Sequence, residues 1–148
     1  MNTDTDTPAA PADPGAIILR AARDAFVRAD EAVGWLPASA PLSARVARAD
    51  AADAFVRAAV EDGDPEALLD ALAEVYHGVV LGEGCIERYS QCKGVVVSLH
   101  VEDGKVGVFA EVYDRHGREM GEAWIAKRLA PTDSDRIWAA IYEAECGE

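Results

Sequence analysis

The sequence predicts an α+β fold in which helices cover one face of an antiparallel sheet. Apolar residues recur at helical spacing between residues 15 and 78, alternate with polar residues between 94 and 128, and return to helical spacing after Pro131. Alanine is frequent in the first region, whereas valine and glycine replace it after Leu81. We therefore expect three N-terminal helices, a three-stranded antiparallel meander and a C-terminal helix packed on the sheet.

The three N-terminal helices are predicted from their apolar stripes and end signals. The third begins most clearly, because Asp64 is a suitable N-cap, Pro65 suits the first helical position and Glu66 faces the helix dipole. Glycines end the first two helices at Gly34 and Gly63. The expected stripes are Ile18, Ala22, Phe26, Ala29 and Val33, then Leu42, Val46, Ala49, Val56 and Val60, then Leu68, Leu72 and Val75.

The segments outside the helices complete the predicted organisation. Aspartate alternates with threonine at the N-terminus without any hydrophobic period, which is typical of a disordered acidic arm. A single α+β domain should follow. The expected boundaries are 1–14 for the arm and 15–148 for the domain, divided into a helical part 15–78, a connecting segment 79–93, the sheet 94–128 and the last helix 132–145. The connecting segment is either loop or strand, and Ile86–Tyr89 is its candidate for a short edge strand.

The first two strands of the meander are predicted to form a hairpin around a two-residue turn, Asp103-Gly104. Pairing Glu102 with Lys105 joins opposite charges and defines the register of the whole hairpin. In that register every inward position is apolar: Val95, Val97, Leu99 and Val101 on one strand, and Val106, Val108, Ala110 and Val112 on the other.

The third strand is predicted to follow a three-residue loop in which Gly117 adopts a left-handed conformation and Asp114 pairs with Arg118. A two-residue turn is the alternative, but it would set like charges against each other. The preferred register points Glu122 inward, where burial would raise the pKa of its carboxyl group. It also places Met120, Trp124 and Ala126 on the apolar face.

The charge of the chain excludes several kinds of partner. The sequence has 27 acidic residues against 14 basic ones, a net charge of −13. Such a chain repels phosphate, so we expect no direct nucleic-acid binding and no binding to anionic membranes. A winged-helix function is also disfavoured, because the third helix has no lysine or arginine. The charge points instead to a basic partner or to solubility alone.

Other patterns bear on compartment, metals and cofactors. No apolar run approaches the roughly 20 residues of a membrane span, and the N-terminus lacks the features of a signal peptide. The lack of these export signals, together with an odd number of cysteines, three, predicts reduced thiols and a cytoplasmic location. His77, Cys85, Cys92 and His100 are too widely spaced for a structural zinc site, and no phosphate-binding loop is present. We expect neither a metal nor a cofactor.

The sheet face opposite the helices is the predicted functional surface. Aromatic and polar side chains mix there, as they do in the cores of protein interfaces. The expected partner-binding residues are Ser98, His100, Phe109, Glu111 and Tyr113. The simpler alternative is an ordinary sheet face that is half in contact with water. Catalysis would instead require Glu122 or a pair of Cys85 or Cys92 with His100 or His116.

These observations predict a non-catalytic acidic binding protein that acts on a basic protein partner as an inhibitor, an immunity-type or antitoxin-like protein, or an adaptor. One alternative is a DNA mimic that inhibits a DNA-binding protein. A second is a small α+β enzyme or ligand sensor with its site on the sheet. A third is a homodimer built on the sheet face. No motif is specific to one family. Mimicry would use acidic residues of the second and third helices: Asp50, Asp53, Glu61, Asp62, Asp64, Asp70 and Glu74.

Overall fold

The computed structural model describes residues 13–34, 39–89 and 94–146. It has four helices and a five-stranded antiparallel sheet, which confirms the α+β class. Close contacts divide the chain between Asp62 and Gly63 into two compact units, each described by itself below. Most of the predicted arm, residues 1–14, lies outside the described residues, although the first helix already begins at Pro14.

The first unit is a pair of helices, α1 (Pro14–Val33) and α2 (Leu42–Asp62). The two helices pack through Phe26 and Phe55, whose ring centroids are 5.6 Å apart. Arg48 lies over the Phe26 ring at 5.0 Å and donates to the Asp30 carboxylate at 2.7 Å. The buried residues are Phe26, Val33, Ala52, Phe55, Val56, Ala58 and Ala59.

The predicted stripes of these two helices are wrong at their ends. In α1, Ile18 is exposed. In α2, Val56 is the one member of the predicted stripe that is buried, whereas alanines outside the stripe are buried. An alanine-rich helix presents several faces of nearly equal apolarity, so spacing alone does not select one. The packing of Phe55 against α1 decides which face of α2 turns inward.

The second unit places two helices on one face of the sheet. Its strands are paired in chain order, each antiparallel to the next. The helix α3 packs on β1 and β2, and α4 packs on β3, β4 and β5. The bounds are α3 Pro65–Val75, β1 Gly78–Gly82, β2 Cys85–Arg88, β3 Val95–Glu102, β4 Lys105–Tyr113, β5 Glu119–Leu129 and α4 Ser134–Cys146.

The sheet differs from the predicted meander by two additional strands. β1 and β2 lie in the connecting segment, for which the sequence leaves loop and strand open, and β1 begins one residue earlier, at Gly78. Strands of five and four residues are too short to show a clear alternation, and their turn uses Glu83 and Gly84, both with positive φ. Of the three N-terminal helices, only α3 belongs to the unit that contains the sheet. No helix within the described residues has both the length and the apolar character needed to span a bilayer.

The predicted register of the central hairpin is confirmed. Glu102 lies opposite Lys105, and the pairing continues without interruption to Val95 opposite Val112. Asp103 and Gly104 have φ of 52° and 72°, as the two-residue turn requires. The inward residues of this hairpin form the centre of the core: Val97, Leu99, Val106 and Val108 are fully buried.

The register of β5 is only partly as predicted. The three-residue loop is present, because the Asp114 N–H donates to the Arg118 carbonyl at 2.8 Å and Gly117 has φ of 81°. One extra residue, Met120, then interrupts the ladder between β4 and β5. Such a bulge reverses the faces of the residues that follow it. A second irregularity at Ile125 restores the original faces, so Ala126 lies opposite the inward Val108, as predicted.

The bulge overturns the predicted positions of Trp124 and Glu122. Trp124 lies opposite Phe109, and Glu122 lies opposite Glu111, so neither points into the core. The Glu122 side chain is exposed. A like-charge pair was not expected at this place, but water around the exposed Glu122 carboxylate screens its repulsion of the half-buried Glu111.

Candidate functional site

The outer face of the sheet is the face opposite α3 and α4. The five predicted partner-binding residues all lie there. On β3, Ser98 is opposite Phe109, and His100 is opposite Gly107. Glu111 and Tyr113 follow Phe109 along β4 at alternate positions, because side chains two residues apart share a face.

An aromatic cluster, formed by His100, Phe109 and Trp124, occupies the middle of the outer face. The Trp124 ring lies 4.9 Å from the Phe109 ring and 5.2 Å from the His100 ring, and the latter two rings meet edge to face at 5.9 Å. Trp124 remains 43% exposed. The cluster is therefore a packed aromatic surface that is open to solvent on one side.

A glycine makes room for the tryptophan. A Cβ atom at Gly107 would lie 2.8 Å from Cζ3 of Trp124, closer than side chains approach. Without a side chain at position 107, the indole can approach the β4 backbone closely. The Lys127 ammonium lies 5.1 Å from the centre of the same ring, so the exposed indole face already accepts a cation.

Two polar groups contact His100, the histidine of the aromatic cluster. Its Nε2 atom is 3.0 Å from the buried Ser98 hydroxyl and 3.9 Å from the Cys85 sulfur. Partial burial raises the pKa of the Cys85 thiol, and the negative charges of Glu87 and Glu111 raise it further. Because nucleophilic catalysis by cysteine requires a thiolate, these surroundings oppose that use of the Cys85–His100 pair at neutral pH.

A carboxylate cluster, formed by Glu111, Glu119 and Glu122, lies beside the aromatic cluster. Oxygen atoms of the three side chains lie within 4.8 Å of one another. The Tyr113 hydroxyl donates to Glu111 at 3.2 Å. Partial desolvation, this hydrogen bond and the three negative charges raise the pKa of the Tyr113 hydroxyl. Within the described part of the chain, no ion pair reaches the three carboxylates.

The carboxylate cluster has the donor atoms that hard cations such as Ca²⁺ prefer. Clusters of exposed acidic groups are nevertheless common in proteins that bind no metal, and here only Glu111 is partly buried. The cluster therefore does not by itself indicate a metal centre. Its clear property is a concentrated negative charge at the edge of an aromatic surface.

Sequence reasoning did not include Trp124 and Glu122 in the site. Both reach the outer face only because of the bulge at Met120. The rejected like-charge pair of Glu111 with Glu122 was the available signal. The register that pairs Glu111 with Glu122 also places Trp124 opposite Phe109.

Comparison with known proteins finds no matching family model, no similar curated protein and no similar solved structure. The outer face itself is therefore the source of evidence for function.

The surroundings of Cys85 lead to a chemical prediction. At neutral pH we expect iodoacetamide to alkylate Cys85 several-fold more slowly than the exposed Cys146, because the raised pKa of Cys85 lowers its thiolate fraction. Peptide mass spectrometry in a Cys92→Ser background measures both rates. Glu111→Gln should bring the two rates closer together by removing one negative charge. Faster labelling of Cys85 than of Cys146 would show that the thiol is activated.

Proposed function

We propose that the protein is a non-catalytic acidic binding protein whose outer face binds a basic protein partner, in an inhibitor, immunity-type, antitoxin-like or adaptor role. One observation carries this proposal: the aromatic and carboxylate clusters are adjacent on the same strands. The pair Phe109–Trp124 is followed, two residues along both strands, by the pair Glu111–Glu122. Two residues of strand span about 7 Å, which is within the length of one arginine side chain.

The aromatic cluster supplies the apolar part of such an interface. Tryptophan is enriched among the residues that contribute most to binding, especially where the surrounding contacts exclude water. Trp124 is packed on one side by Phe109 and His100 and exposed on the other, so its free surface is rigidly oriented before a partner arrives. A prearranged ring loses little conformational freedom on binding.

The carboxylate cluster supplies the charge preference. An incoming arginine could stack on the Trp124 indole and donate to Glu122 at the same time, since the guanidinium is both planar and a hydrogen-bond donor. The contact of Lys127 with the indole supports this preference for cations. The net charge of −13 adds a long-range attraction that accelerates association with a basic partner.

A capture experiment with matched variants tests the proposal. The tagged full-length chain is used to capture proteins from a nuclease-treated lysate of the native host, and quantitative mass spectrometry compares wild type, Trp124→Ala and Glu122→Gln. Tyr142→Ala and Glu143→Gln serve as controls, because both alter exposed residues of α4, outside the outer face. We expect one stoichiometric basic protein that the controls retain and the two outer-face variants lose.

The purified pair then gives the size of the effect. Trp124→Ala should weaken binding by about 30-fold, the loss typical of a central aromatic contact. Raised salt should mainly slow association. A partner that binds both outer-face variants as well as wild type would contradict the proposal. If such a partner were a DNA-binding protein, mimicry by the acidic helices would be favoured instead.

A further inference from the structure

A lysine of the protein itself already contacts the aromatic cluster. The Lys127 ammonium lies 5.1 Å from the centre of the Trp124 ring. Phe109, His100 and the backbone at Gly107 pack against other parts of that ring, which remains 43% exposed. Lys127 therefore occupies the exposed surface of the indole that a partner's side chain would have to reach.

Lys127 contacts the ring but no carboxylate. Among residues 13–34, 39–89 and 94–146, no ion pair includes Lys127, and none reaches the carboxylate cluster. Trp124 lies between Glu122 and Lys127 along β5, so the lysine backbone and the carboxylate cluster are on opposite sides of the indole. The chain thus supplies a cation to the ring, whereas the negative charges beside the ring keep their capacity for a second cation.

We propose that Lys127 is a built-in competitor for the Trp124 ring, and that the outer face therefore selects an arginine side chain of the partner over a lysine side chain. This inference rests on the proposed function, to which it adds the residue that the partner supplies. Lys127 is tethered beside the ring, whereas an incoming side chain loses translational freedom on binding. An incoming cation therefore displaces Lys127 only if it makes contacts that Lys127 does not make.

The two basic side chains differ in the contacts that they add. A lysine ammonium on the indole replaces the Lys127 contact by an identical one, and at the carboxylates alone it forms an exposed ion pair that contributes little. A guanidinium is planar, so an arginine stacked on Trp124 keeps N–H groups free at its rim. Glu111 and Glu122 lie two residues along the strands, within reach of those donors. Arginine therefore gains hydrogen bonds that offset the loss of the Lys127 contact.

Two small probes of equal charge test this selectivity. N-acetyl-arginine amide and N-acetyl-lysine amide each carry one positive charge, so the net charge of the chain attracts them equally. Each probe is titrated into the isotopically labelled full-length chain, and nuclear magnetic resonance follows the indole N–H signal of Trp124, one of three tryptophans. Trp124→Phe identifies that signal by its loss, and the backbone amide signals show that each variant remains folded.

We expect the arginine probe to bind wild type at least about fivefold more tightly than the lysine probe. Lys127→Met should tighten the binding of both probes by about threefold, the factor that corresponds to one exposed cation–π contact. Glu122→Gln should weaken the binding of the arginine probe more than that of the lysine probe. Lys105→Met is the matched control, because it removes the same charge at the start of β4, outside the aromatic cluster, and it should leave both affinities nearly unchanged.

Three results would overturn the proposal: equal affinities for the two probes, unchanged affinities in Lys127→Met, or a Trp124 signal that neither probe shifts. These results are distinct from a failure of the proposed function. A partner that Trp124→Ala loses, together with unchanged probe binding in Lys127→Met, would support the proposed function and exclude the competitor role of Lys127. A partner that binds Trp124→Ala as well as wild type contradicts the proposed function even where both probes bind as expected.

Discussion

Replacing Arg88 by methionine is expected to lower the free energy of unfolding by about 3 kcal/mol or more, because it leaves the Glu145 carboxylate buried without a counter-charge. Arg88 extends from β2 under α4 and donates to the Glu145 carboxylate at 3.2 Å. It also donates to the Tyr76 carbonyl at 3.1 Å, and its guanidinium lies 5.4 Å from the centre of the Trp138 ring. The two charged side chains are only 9% and 7% exposed. Urea unfolding followed by circular dichroism measures the loss.

The double variant Arg88→Met/Glu145→Leu provides the matched control. It removes both charges, so no buried group is left uncompensated, and most of the stability should return. The native pair is itself imperfect, since Arg88 Nε and Glu145 Oε2 are buried without hydrogen-bond partners. A double variant whose loss equals the sum of the two single losses would show that the two side chains are not coupled, and would contradict this prediction.

Replacing Gly84 by alanine is the second change with a large expected effect. Gly84 has φ of 76°, and a Cβ atom there would lie 2.5 Å from the Val101 carbonyl oxygen. The Gly84 carbonyl also accepts from the Val101 N–H at 2.7 Å, so the two backbones cannot easily separate. Conformational strain and the clash together should lower the free energy of unfolding by about 3 kcal/mol.

Gly104→Ala separates the two contributions. Gly104 has a similar φ, 72°, but a Cβ atom there would meet nothing within 4 Å. We expect a loss of about 1 kcal/mol from the left-handed conformation alone. Equal losses at the two positions, measured by urea unfolding, would show that the β2–β3 backbone relaxes to accept the methyl group.

Both substitutions act on β2 or on the turn that precedes it, in a segment for which the sequence leaves loop and strand equally open. Cys85 lies on this strand and contacts His100 of the outer face. Arg88 joins the same strand to α4 on the inner face. A loosened β2 should therefore affect both the core and the support of the aromatic cluster.

The elements that the sequence predicts well are those determined by neighbouring residues. Asp64 caps α3 by accepting from the Glu66 N–H at 3.0 Å, as its type and spacing predict. The turn at Asp103-Gly104 positions the β3–β4 hairpin, and the alternation of its apolar residues confirms the same register. The loop closed by Asp114 follows from Gly117 and from the opposite charges of Asp114 and Arg118. Each of these depends on a few residues whose backbone preferences and hydrogen bonds are local.

The remaining features depend on contacts between residues that are distant in sequence. β1 and β2 are too short to be distinguished by period, and they exist as strands because β3 and α3 provide something to pair with and pack against. The packing of Phe26 with Phe55 selects the buried face of α2.

The composition of the candidate site was decided in the same way. The sequence by itself places Ser98, His100, Phe109, Glu111 and Tyr113 on one face, because a hairpin register and a period of two are sufficient for that. Only the tertiary structure brings Trp124 and Glu122 beside them, through one extra residue at Met120. A bulge reverses the side chains that follow it as far as the next irregularity, which here lies at Ile125. The position of a bulge is determined by how two whole strands fit together, so no local pattern reveals it.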